Sequence, residues 1–345
     1  MAAASTQTLD HDVALSETDI PDLSEGPLHS EEMVATAPLD NTSPGTLERP
    51  AYLMNCPFSY SANEPNNAWM CELDDAARTI DRNAAMRQFA QLYDYMAADG
   101  FVFLLPTPAD CRLQDLVFTA NLGIVLEHVP ERNIVVLSNF TSKPRLGETE
   151  VGYRFFRAMG YTTIVAPHKF EGEAELKHLH DNVYVGGYGI RSDQQVYEWM
   201  ETEFDMEVIP VREGDEYLYH LDCSIFPITA EDTMVCTELL DPAEVARLEK
   251  ATNIVDVSSD ACYAGICNSV RHHQSILNGS HIHSLRAGSE DYFEELRKNR
   301  ELEDIAVRLG LEVNYFNLSE YHKGGALLSC MVMHLNRRSY SFSLL

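Results

Sequence analysis

The sequence is short of positive charge, of paired cysteines and of long apolar runs, and each shortage argues against a class of function. Lys and Arg number 25 against 54 Asp and Glu, a formal net charge of -29. So acidic a chain repels polyanions, which argues against nucleic acid or an anionic membrane surface as its main partner and is compatible with a cationic small molecule. None of the eight cysteines shares CxxC spacing with another, so a zinc ribbon or thioredoxin-type motif is not expected, and the thiols read as reduced. No apolar run approaches the roughly 18 to 20 residues that span a bilayer. The first residues carry acids early (Asp10, Asp12, Glu17, Asp19) and lack a basic start followed by an apolar core, which makes cytoplasmic the expected location. No glycine-rich phosphate loop follows an early strand, which argues against a doubly wound dinucleotide-binding sheet.

What is present is a globular chain with a tail. With 345 residues and 45% apolar content it can build a substantial core. Residues 1–50 are rich in Ser, Thr, Pro and acids and show no period, the composition of a disordered acidic tail. From Ala51 a pattern of two strands, a helix and a strand recurs at roughly 50 residues, a period that signals repeat architecture. Helical spacing predicts helices over about 75–98, 148–159, 193–203, 242–250 and 289–309, several closed by glycine. Strands are expected at Phe101–Leu105, Leu116–Phe118, Gly123–Leu126, Asn133–Ser138, Thr162–Ala166, Asn182–Val185, Glu207–Pro210, Tyr217–Leu221 and Asn253–Val257, and along the run that carries Cys330. Five such α/β units can close into a ring in which distant residues converge.

Four segments stand at corresponding places in the units. They are Phe118-Thr119-Ala120-Asn121, Phe170-Glu171-Gly172-Glu173-Ala174-Glu175, Tyr219-His220-Leu221-Asp222, and Gly324-Gly325-Ala326-Leu327-Leu328-Ser329-Cys330. Together they supply a thiol, a histidine, carboxylates and a carboxamide, the set that attack on a planar cationic carbon needs. Carboxylates hold a guanidinium by charge-assisted hydrogen bonds, the thiolate attacks its carbon, and histidine moves protons to the leaving amine and from water. If His220-Leu221-Asp222 is a strand, alternation puts His220 and Asp222 on one face. His272, His273, His281 and His283 lack acids or cysteines at ligand spacing and read as hairpin or loop lining, so no metal or cofactor is expected.

These motifs, over about 52–334, resemble the guanidino-group modifying enzymes of the pentein fold: arginine deiminases, dimethylarginine dimethylaminohydrolases, amidinotransferases and arginine dihydrolases. The resemblance implies a five-fold pseudosymmetric α/β propeller as a catalytic domain over 51–345, acting on L-arginine or a close guanidino analogue. It implies Cys330 as nucleophile, His220 as general acid and base, Glu171 beside them, and Glu171 with Asp222 as guanidinium-binding acids. Arg191 and Arg145 look like the arginines that take the substrate carboxylate, and Glu175 and Asn121 complete the substrate-binding set. Where deiminases have an aspartate this chain has Asn121, similar to the dihydrolase branch, and Glu175 replaces the aspartate that ends the EGxGD-type loop. The expected reaction is hydrolysis of arginine through bound citrulline to ornithine, ammonia and carbon dioxide. Deiminase, dimethylarginine hydrolase and amidinotransferase outcomes stay open, as do a non-catalytic binding role and homo-oligomerisation.

Overall fold

The structure is a computed structural model that describes residues 44–109 and 111–341. Five three-stranded sheets make a mixed α/β ring, each sheet holding one antiparallel and one parallel strand pair. The second unit shows how the chain builds them. Ile134–Leu137, β-branched at three of its four residues, is apolar and buried, as a strand covered on both faces must be. Gly123–Val125 lies antiparallel on one side of it and Thr162–Val165 parallel on the other. The helix Glu148–Ala158 makes the parallel crossover, and Gly160, at φ +83°, turns the chain out of it in the left-handed region.

The same order recurs with helices Gln194–Phe204, Pro242–Leu248 and Glu290–Arg308. Residues 1–43 of the expected tail lie outside the described residues. Pro44–Pro50, assigned to that tail by composition, packs instead against the C-terminal segment, where Asn336 Nδ2 donates to the Pro44 and Arg49 carbonyls.

The first sheet is closed from the far end of the chain. Ala51–Met54 pairs in parallel with Phe101–Leu104 across the helix Arg82–Asp99, and Met333–His334 adds antiparallel to Ala51–Met54. Phe89, Leu92 and Met96 bury one face of that helix on the first sheet, about 1.5–3 kcal/mol each. The expected strand after the Cys330 turn therefore exists, but it belongs to the first sheet rather than the fifth, and Cys330 itself lies on a short 3-10 turn, Ser329–Met331.

Such turns recur. Thr119–Asn121, Gly172–Ala174 and Leu221–Cys223 each precede the first strand of a sheet, as Ser329–Met331 precedes Met333–His334. In the fifth unit the Asn268 amide closes onto the Gly265 carbonyl just before Ser269–His272. The turns meet at the ring centre. Gly172 permits this, since at φ +67° a Cβ there would stand 2.6 Å from the Ala120 carbonyl oxygen.

Two expected strands are corrected. Leu116–Phe118 and Tyr217–Leu221 are turn segments, because backbone at the ring centre is satisfied by side chains of other units. Trp69 Nε1, for one, donates to the Tyr217 carbonyl oxygen at 2.7 Å. Conversely, Leu176–His180 and Ile225–Pro227 are strands that the periodicity did not announce.

Candidate active site

Cys330 is buried at the ring centre with its sulfur 3.7 Å from Asp222 Oδ2. Ser329 holds that carboxylate by a short hydroxyl hydrogen bond. Asn268 Nδ2 donates to the sulfur at 3.5 Å, and Asn268 Oδ1 accepts from the Ser329 amide at 2.8 Å, so one carboxamide fixes the turn and supports negative charge on the thiol. Burial, and after it the Asp222 carboxylate, push the Cys330 thiol up to about 12.

Across the cleft, His220 Nε2 lies 2.9 Å from Glu171 Oε2 and donates to it. Asn121 Nδ2 lies 3.3 Å from His220 Nε2 and 3.5 Å from Nδ1. Burial would raise the Glu171 carboxyl, but the His220 hydrogen bond and the charges of Arg191 and Arg145 outweigh it and hold the group down at about 2. A permanent anion on one ring nitrogen orients the imidazole, which suits a group that moves protons.

The sequence-selected residues separate into those that line the cleft and those behind it. Asn121, Arg145, Arg191, His220 and Cys330 line one cleft together with Asp115. Tyr219 divides it from a second recess that reaches the same His220 and Cys330 from the side of Leu218, Cys262 and Leu327. Glu171 and Glu175 are wholly buried and Asp222 nearly so. Asp222 touches the thiol, whereas Glu175 accepts from Ser192 Oγ and the Leu221 amide and faces the scaffold. His220 and Asp222 do not share a strand face. The segment is a 3-10 turn with His220 at its start, so the histidine points to Glu171 and the aspartate to Ser329 and Cys330.

The two arginines also differ. Arg145 is held by Glu148 through Nε at 3.0 Å and Nη2 at 2.8 Å and stacks over Phe140, which commits most of its fork. Arg191 donates to Glu171 at 3.3 Å and to the Asn66 carbonyl at 2.6 Å, rests on the Tyr219 ring, and borders a wide cleft beside Lys143 and Glu216.

Asp115, Tyr219 and Asn268 were not selected from sequence as site residues. The fifth-unit turn was the available signal for Asn268, since four corresponding turns imply a fifth. Asp115, held by Asn66 Nδ2 at 2.7 Å, immediately precedes the segment read as the strand Leu116–Phe118. Among the described residues no group of three or more His, Cys, Asp and Glu is arranged to hold a metal ion. Nor is any described helix long and apolar enough to cross a membrane.

A five-sheet α/β ring with a cysteine, a histidine–glutamate pair and buried acids at its centre defines the guanidino-modifying pentein class, and comparisons with known proteins agree. The chain belongs to the eukaryotic N,N-dimethylarginine dimethylhydrolase family, whose model matches residues 57–337. It is 33% identical over 180 residues to a bifunctional arginine dihydrolase/ornithine cyclodeaminase of Nostoc sp., a match taking in 51% of this chain and only 24% of that longer protein. It is 24% identical over 309 residues to the N(G),N(G)-dimethylarginine dimethylaminohydrolase of Mycobacterium tuberculosis, 89% of this chain and 93% of the relative. The product-bound N-terminal domain of a cyanobacterial arginine dihydrolase, ArgZ, superposes with TM-score 0.70 at 24% identity, covering 83% of this chain and 97% of that one. The Pseudomonas aeruginosa dimethylaminohydrolase complexed with citrulline superposes at 0.61 and 16% identity, covering 83% and 99%. Family and relatives are hydrolases of guanidino C–N bonds.

Proposed function

We propose that the protein hydrolyses the guanidino group of L-arginine twice, through bound citrulline, to ornithine, two ammonia and carbon dioxide. The observation that carries this reading is Asn121, whose carboxamide stands 3.3 Å from the catalytic imidazole in the cleft that also holds Cys330. An aspartate there would accept hydrogen bonds only and favour a cation. A carboxamide can accept from a guanidinium N–H and donate to a ureido oxygen, so it tolerates both the first substrate and the neutral intermediate.

Arg191 suits the substrate carboxylate and Asp115 the α-ammonium, which leaves the guanidinium directed at Cys330 beside Asp222. The Cys330 thiol gives its proton to His220 as the sulfur attacks the guanidinium carbon, and the first ammonia leaves with that proton. Water attacks the thiouronium, His220 takes its proton, and the C–S bond breaks to give citrulline. In the second round Cys330 attacks the ureido carbon and expels ammonia. Hydrolysis of the resulting thiocarbamate releases a carbamate that breaks down to ornithine and carbon dioxide.

A second reading, hydrolysis of dimethylarginine to citrulline and dimethylamine, is favoured by the family match. Mass-spectrometric product analysis with labelled arginine and with dimethylarginine separates the two. The expected result is ornithine with two ammonia per arginine. Stoichiometric citrulline from arginine would replace the proposal by a deiminase, and dimethylamine release without arginine turnover would replace it by the second reading.

A further inference from the structure

Behind the Glu171–His220 pair lies a second pair of acids that the reaction does not touch. Glu175 follows the Gly172–Ala174 turn and Glu213 follows the strand Glu207–Arg212. Glu175 is wholly buried and Glu213 is 9% exposed. They meet over Gly187, where a Cβ would stand 2.6 Å from Glu213 Oε1 and 2.8 Å from Glu175 Oε2, so both oxygens crowd one spot that only a glycine leaves open.

Their hydrogen-bonding is unequal. Glu175 accepts from Ser192 Oγ at 3.2 Å and from the Leu221 amide at 3.3 Å. Both Glu213 oxygens are shut from solvent and find no hydrogen-bond donor among the described residues. Two ionised carboxylates cannot share such a place, whereas one proton between them satisfies both. The donors decide where it sits. Glu175 is the carboxylate, and Glu213 carries the proton and donates it to Glu175.

The anchors of Glu175 lead straight to the site. Ser192 follows Arg191, and its hydroxyl oxygen accepts from the Glu171 amide at 3.3 Å. Leu221 follows His220. One carboxylate thus ties down the backbone beside all three. We propose that Glu175 and Glu213 form a single-proton acid pair that braces His220, Glu171 and Arg191, with Glu213 as a positioning residue. The functional consequence rests on the reading of His220 and Glu171 as the proton-handling pair. Glu171, His220 and Asp222 are the titratable groups that face the pair, and Tyr197 lies against it, its hydroxyl donating to the Gly187 carbonyl. Burial first, then Glu175, raises the Glu213 carboxyl well above the ordinary carboxylate range.

The sign of the pH effect follows. A carboxyl raised in the folded state contributes stability that is complete below its unfolded value, about 4.5, and is lost as pH rises toward the raised one. As the shared proton leaves, two buried like charges separate and the brace opens.

The test uses full-length wild type, Glu213→Gln and Glu213→Leu. Melting temperature is followed from pH 5 to 10, and kcat and KM are measured on whichever guanidine the wild type turns over. Glutamine supplies an N–H where the acid supplied an O–H, and it cannot ionise. Its melting temperature is expected to stay level with rising pH where that of the wild type falls. Glu213→Leu is expected to lose about tenfold or more in kcat with KM little changed, and Glu213→Gln to restore most of that loss. Melting curves that run parallel across the pH range, or a glutamine variant as impaired as the leucine one, overturn the proposal. If the leucine variant does not fold, the melting comparison of wild type with Glu213→Gln decides alone. Because melting involves no substrate, an error in the assigned reaction shows up as absent turnover by wild type and leaves the brace separately testable.

Discussion

Replacing Glu171 by glutamine tests the electrostatic core of the site. The carboxylate is wholly buried and faces His220 at 2.9 Å, Arg191 at 3.3 Å and Arg145 at 3.8 Å. Glutamine keeps the shape and removes the charge, leaving two guanidinium groups short of a counter-ion. Breaking a buried pair from one side costs about 3–5 kcal/mol. The depressed carboxyl gives an independent figure: held at about 2 against an ordinary 4.5, at about 1.4 kcal/mol per pH unit, it stabilises the fold by about 3 kcal/mol.

A carboxyl whose folded value is lowered contributes stability that is present above the unfolded value and lost as pH falls through the folded one. The gap between wild type and Glu171→Gln in urea unfolding should therefore be constant from pH 7 to about 5 and narrow as pH falls toward 2. Activity should fall about 10²- to 10⁴-fold, because the imidazole loses the carboxylate that orients it. A stability gap below about 1 kcal/mol at pH 7, or one that stays constant down to pH 3, would refute the reasoning.

The other predictions concern single residues. Cys330, raised to about 12 in the unliganded site, should be alkylated by iodoacetamide at a rate that climbs about tenfold per pH unit from 7 to 10 without a plateau, and Asp222→Asn should speed alkylation at neutral pH. Arg191→Met should raise KM with a smaller effect on kcat, whereas Arg145→Met, by stranding the buried Glu148, should cost about 3–5 kcal/mol in urea unfolding. Asn121→Asp should shift arginine turnover toward accumulated citrulline, and an unchanged ornithine yield by mass spectrometry would remove that residue from the argument.

The parts legible in the sequence were those whose signal is local. The helix Glu148–Ala158 shows its apolar spacing and its closing glycine at 160, and Ile134–Leu137 is a β-branched run with no other reading. Leu176–His180 was missed because Lys177, His178 and His180 give it no apolar alternation, and Ile225–Pro227 is too short to show a period. The turns at 116–118 and 217–221 were read as strands for the opposite reason. Each segment is a run of mostly apolar residues in the sequence, and only contacts from other units reveal that it bends. The chemistry was more legible than the geometry. The cysteine, histidine and acids lie in four recognisable segments, whereas Asn268, Asp115 and Glu213 matter through what they touch, which no spacing encodes.

In the proposed reaction, the buried acids at the ring centre also explain how Cys330 is kept inactive until it is needed. Glu171 has His220 and two arginines, Glu173 is balanced by His334 and Arg337, and Glu175 has donors of its own. Asp222, like Glu175, has no cation among the described residues within ion-pair distance; it has the Ser329 hydroxyl and the Cys330 and Cys223 thiols. Burial first, and then the Asp222 charge, oppose thiolate formation at Cys330. A guanidinium bound beside Asp222 reverses the sign of that local field, favouring the thiolate at the moment the carbon it must attack is in place. In the proposed reaction, recognition and attack are thus coupled through one carboxylate: the cation that satisfies Asp222 is the group that Cys330 attacks.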